Sequence, residues 1–81
     1  MIEKGFYKHF KGMLYEVVDT AKCSETMDVF VIYRALYGEK ELWIRPLTMF
    51  QEVVTREGKT FPRFEFLGVD KVKLMAEGYD L

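Results

Sequence analysis

Between Asp28 and Tyr37 the chain is apolar on both sides of an extended backbone, and no other stretch limits the fold as much. Side chains alternate across a strand, so Val29, Val31, Tyr33, Ala35 and Tyr37 line one face, and Phe30, Ile32 and Leu36 the other. Only Arg34 interrupts the second face. Such a run is a central strand covered on both sides, or one that leaves a face for a partner.

Turn residues divide the rest into short segments. Phe6 to Phe10 is compatible with a strand and ends at Lys11-Gly12. Met13, Tyr15 and Val17 then alternate with Leu14, Glu16 and Val18 as a second strand, and the polar residues Lys22 to Thr26 form a loop. Tyr37 to Glu41 is a hairpin loop. Leu42 to Arg45 returns as a strand and stops at Pro46, which cannot donate to a ladder. Pro46 suits the start of a single helical turn over Leu47 to Phe50. Glu52 to Arg56 reads as a strand, Glu57 to Lys59 as a turn, and Phe64 and Phe66 alternate with Arg63 and Glu65 in a last strand.

After Gly68 the period lengthens. Val69, Val72 and Ala76 recur at helical spacing with Met75 beside them, which predicts a short C-terminal helix that frays at its end. The expected fold is mostly β: a small SH3-like barrel, or a strongly bent antiparallel sheet, of at least five strands. Residues 1–67 form a single domain, and 68–81 an extension packed on it. Trp43, between the hairpin loop and Pro46, is expected to be buried and to close one end.

Chain length supports one domain: at 81 residues, roughly 60% of the unfolded surface is buried on folding. The formal charge of −1 is mixed along the sequence, which weighs against strong non-specific nucleic-acid binding. One cysteine, Cys23, cannot form an internal disulfide. The first residues lack the apolar run of a signal peptide and no stretch is long enough to span a bilayer, so no membrane partner is expected and a cytoplasmic location is.

Several strings identify a family. Tyr7-Lys8-His9-Phe10-Lys11-Gly12, Leu14-Tyr15-Glu16-Val17, Ser24-Glu25-Thr26, Tyr33-Arg34-Ala35-Leu36-Tyr37-Gly38 and Trp43-Ile44-Arg45-Pro46 together resemble the bacterial family known as domain of unknown function 1653. The resemblance covers about residues 5 to 66. It implies a small stand-alone domain and brings no activity with it. The family pattern commonly has a histidine before Ser-Glu-Thr; Cys23 stands there in this chain, so a role that needs an imidazole in that loop does not transfer.

Few residues carry recognisable chemistry. His9 is the only histidine, and a catalytic base needs a partner within hydrogen-bond reach. A small enzyme using His9 with Glu25 or Cys23 is one alternative. His9, Cys23, Asp19 and Asp28 lack the close spacing of a metal motif, and no cofactor motif is present. Ser24-Glu25-Thr26 either fixes a turn or presents Glu25 to a ligand. Arg34 and Arg45 lie inside apolar strands, where arginine pairs with a carboxylate such as Glu16, Glu25 or Glu52, or stacks on an aromatic ring to meet a ligand. Tyr7, Tyr15, Tyr33, Tyr37, Trp43 and Phe50 either fill the core or line a groove.

The leading expectation is a non-catalytic binding module. Its site would draw on Arg34, Arg45, Tyr15, Tyr33, Tyr37, Glu25 and His9, and would recognise a peptide, a protein partner or a small anionic ligand. Self-association as a structural protein is the remaining alternative.

Overall fold

The computed structural model describes residues 2–81. Its elements are β1 (Gly5–His9), β2 (Leu14–Lys22), β3 (Val29–Ala35), β4 (Leu42–Pro46), α1 (Leu47–Phe50), β5 (Val53–Arg56), β6 (Lys59–Pro62), β7 (Phe64–Gly68) and α2 (Lys71–Ala76). A five-stranded sheet has the order β4-β3-β2-β1-β7, and β5 and β6 form a separate hairpin. All pairings are antiparallel.

The sheet is bent but not closed into a barrel; β4 and β7 are its edges. Register shifts between Val17 and Asp19 in β2, and between Phe6 and Tyr7 in β1, supply the bend, because an unpaired residue kinks and twists its strand. At the second shift the backbones come close. A Cβ on Gly5, whose φ is +136°, would lie 2.7 Å from the Gly68 carbonyl oxygen.

The core is one face of this sheet. Tyr7, Tyr15, Val17, Val31, Tyr33, Ala35, Phe50 and Phe64 form a buried cluster, with Ile2, Met13 and Leu47 packed at its margin. The Val31-Tyr33-Ala35 face of β3 is thus the inner one, as alternation requires. Pro46 ends β4 and begins α1, which lowers Phe50 onto the cluster. There Phe50 stacks on Phe64 with centroids 4.0 Å apart and rings 3° from parallel.

Three expectations are corrected. Lys59–Pro62 is a strand, where the sequence shows only the turn before it. Trp43 is 50% exposed, because β4 is an edge strand with no strand beyond it to cover that side chain. In α2 the buried residue is Leu74, while Val69 and Val72 are 70% and 79% exposed. The Asp70 side chain accepts a hydrogen bond from the Lys73 amide and starts the helix there, which turns the Leu74 face inward. Among the described residues no helix is long and apolar enough to cross a membrane.

Candidate binding surface

Arg45 is the one arginine inside a sheet strand that faces the aromatic cluster. It lies opposite Val31, on the inner face. Its Nε donates to the Tyr33 hydroxyl at 3.3 Å, and its guanidinium lies over the Phe64 ring, 5.7 Å from the centroid. The neighbouring tyrosines are tied together: the Tyr15 and Tyr37 hydroxyl oxygens are 2.7 Å apart. Tyr15 is buried and Tyr37 is 48% exposed, so the pair runs from the core to the surface. Burial and the hydrogen bond to Tyr37 hold the Tyr15 hydroxyl well above its ordinary pKa.

Arg34 does not join this patch. It lies opposite Leu42, on the outer face, and donates from a terminal nitrogen to the Lys40 carbonyl at 2.7 Å. Its neighbour in β2 is Glu16, yet among the described residues neither Arg34 nor Arg45 forms an ion pair with Glu16, Glu25 or Glu52. Glu25 is exposed in the loop after β2. The expected grouping of both arginines with the tyrosines therefore splits. The reason is parity: Arg34 and Arg45 occupy opposite faces of the β3–β4 pair.

His9 is nearly buried, 9% exposed, at the end of β1. Its Nδ1 accepts from the Lys11 amide at 3.1 Å, which leaves Nε2 as the free ring nitrogen. The ring packs edge-on against Phe64 with centroids 4.9 Å apart. Burial lowers its pKa, and Arg63, Lys11 and Arg45 lower it further. Cys23 follows the opposite end of the nine-residue β2. About 30 Å of strand therefore separates it, and Glu25 beyond it, from His9. Neither proposed dyad is assembled. Hydrogen bonds from Thr26 and Glu25 hold the Cys23 thiol below its ordinary pKa. Among the described residues no three of His, Cys, Asp and Glu are grouped to hold a metal ion.

The structure adds residues that sequence reading passed over. Phe10, just beyond β1, has Lys11, Arg56 and Arg63 over its ring at 5.8, 5.1 and 5.9 Å from the centroid. Arg56 and Arg63 come from the β5–β6 hairpin and its exit. The hairpin folds back so that Phe61 meets Phe10 with centroids 5.9 Å apart and the Phe10 amide donates to the Arg63 carbonyl. Arg63 lies 3.8 Å from Glu52, and its buried Nε has no hydrogen-bond partner among the described residues. Only the Phe10-Lys11 adjacency is visible in the sequence; the other two cations arrive through tertiary packing.

Two clefts border this cluster. One of about 330 Å³ is lined by His9, Phe10, Phe61 and Pro62, with Lys8 and Glu65 at its sides. The other, of about 430 Å³, has Tyr7, Phe50, Phe64 and Phe66 in its wall. They share Pro62 and Glu65, and Phe10 is in the wall of the first.

The family model for DUF1653, described as a protein of unknown function, matches residues 5–66. The crystal structure of a DUF1653 protein from Bordetella bronchiseptica is similar, with a TM-score of 0.76 and 30% identity over 86% of this chain and 92% of that one. No curated protein matches the chain.

Proposed function

This chain belongs to the DUF1653 family, and we propose that it is a non-catalytic binding module that recognises an anionic group carried next to an apolar body. One observation carries the reading. Lys11, Arg56 and Arg63 converge on the Phe10 ring at 5.8, 5.1 and 5.9 Å, with only Glu52 paired to Arg63 among the described residues, in a chain whose net charge is −1. Clustered cations repel one another, and a bound carboxylate or phosphate relieves that repulsion. Guanidinium groups suit such an anion because their planar donors bind it in a bidentate way.

The division of labour follows from position. Arg45 is oriented by the Tyr33 hydroxyl and the Phe64 ring, and offers its remaining donors. Arg63 faces Glu52 only at 3.8 Å, too far for a hydrogen bond, so its guanidinium is incompletely satisfied and an added acceptor would lower that cost. Phe10 and the two neighbouring clefts supply apolar surface for the rest of the ligand. A bacterial, cytoplasmic setting belongs to the same reading and is in keeping with a lone, unpaired cysteine.

The test is an NMR titration with inorganic phosphate and with a glutamate-rich peptide at low ionic strength. Shifts confined to His9, Phe10, Arg45 and Arg63, and a rise in the His9 pKa on binding, are expected. Arg45→Lys and Arg63→Lys should each weaken binding while the fold remains intact. Absence of any localised shift with either probe would remove the proposal.

A further inference from the structure

The free edge of β4 carries a second kind of information. Glu41 accepts a hydrogen bond from the Ala35 amide, so by alternation Trp43 and Arg45 also direct their backbone groups toward β3. Leu42 and Ile44 then direct theirs away from the sheet, and β4 has no strand on that side. Their side chains are open as well: Leu42 is 51%, Trp43 50% and Ile44 67% exposed. Soluble proteins normally protect such an edge with charge, proline or a covering segment. Here Pro46, at the end of the strand, and the charge of Arg45 do so, and neither lies on the Leu42–Ile44 stretch.

We propose that β4 pairs antiparallel with β4 of a second copy of this chain, about a two-fold axis at Trp43. In that register Leu42 of each copy lies opposite Ile44 of the other, and their outward N–H and C=O groups satisfy one another. Trp43 meets its own counterpart on the inner face as a close, non-hydrogen-bonded pair. The same register sets Glu41 of each copy opposite Arg45 of the other, on the same face as Trp43. This charge complementarity selects a second copy, and it selects one alignment. Sliding toward Ile44 sets Arg45 against Trp43. Sliding toward Leu42 leaves only the Leu42 groups to pair, because the Lys40 amide and carbonyl are already engaged by Tyr37 and Arg34. On the outer face, Ile44 lines an apolar groove of about 310 Å³ together with Ala21, Phe30 and Ile32. An isologous contact of this type closes on itself and does not propagate into fibres.

This inference stands apart from the anion reading, although both use Arg45. Its test is solution mass by sedimentation equilibrium, with circular dichroism to confirm the fold. The wild-type chain should be a concentration-dependent dimer. Glu41→Arg and Arg45→Glu should each weaken dimerisation by about tenfold or more, since each sets like charges opposite one another. An equimolar mixture of the two variants should restore the dimer, because every cross-strand pair is then of opposite sign. Ile44→Pro, which removes an outward amide without touching the β3 ladder, should give a folded monomer. A wild-type chain that stays monomeric at millimolar concentration would overturn the proposal. So would a dimer that is indifferent to these substitutions, or a mixture that fails to recover.

Discussion

The hydroxyls of Tyr15 and Tyr37 share a hydrogen bond of 2.7 Å in which one ring is buried and the other half in solvent. The arrangement is asymmetric in energy. Tyr37→Phe strands the buried Tyr15 hydroxyl and should cost about 1–2 kcal/mol in urea unfolding. Tyr15→Phe leaves the Tyr37 hydroxyl free to bond water and should cost less.

The same pair makes a prediction at alkaline pH. Tyr15 ionises at higher pH in the fold than its ordinary 10.0, first because of burial and then because of Tyr37. Above pH 10 the unfolded chain releases this proton and the folded chain retains it. Stability is therefore complete below pH 10 and falls as pH rises beyond it. Thermal melts between pH 8 and pH 11 should show a falling Tm, less steep in Tyr15→Phe.

His9 gives the opposite slope in acid. Its folded pKa lies below the ordinary 6.5, because of burial and then of Arg63, Lys11 and Arg45. The unfolded chain takes up the proton first, so stability declines as pH falls through 6.5 toward the folded midpoint. An NMR titration of the ring protons should place that midpoint below 6.5. Arg63→Gln should move it upward.

Aromatic residues in this chain are not equivalent. Phe50→Ala removes a ring that is 2% exposed and stacked on Phe64, and should cost about 3–5 kcal/mol. Trp43→Ala should cost no more than about 1 kcal/mol in the monomer, since half of that side chain already meets solvent. Equal losses in the two variants would contradict this ordering.

Gly5 sits where the backbones of β1 and β7 approach most tightly for a side chain. Gly5→Ala forces a Cβ against the Gly68 carbonyl at a φ that L-residues rarely adopt, and should destabilise by about 1–3 kcal/mol. Gly12→Ala, also at positive φ but with open space around it, should cost less.

Much of the sheet was legible because period-two alternation is a local property. The Val31-Tyr33-Ala35 face, the stop at Pro46 and the helical turn to Phe50 all follow from neighbouring residues. Trp43 was misplaced because burial depends on which strand becomes an edge, and strand order is not a local property. The candidate surface was legible in part for the same reason. Tyr33, Tyr15, Tyr37 and Arg45 share a face, but Arg34 does not, and counting parity across the hairpin loop requires its bond pattern. Arg56 and Arg63 carry no sequence signal at all; the hairpin brings them to Phe10.

That hairpin has its own ladder and shares none with the main sheet. Its opening would therefore break no strand pairing elsewhere, and it can behave as a separate cooperative unit with a lower opening free energy than the whole domain. The cations it carries would leave Phe10 when it opens. Occupancy of the anion surface and protection of the Val53–Pro62 amides from solvent exchange would then be two readings of one equilibrium, and a ligand that holds Arg56 and Arg63 in place would slow exchange at residues it never touches.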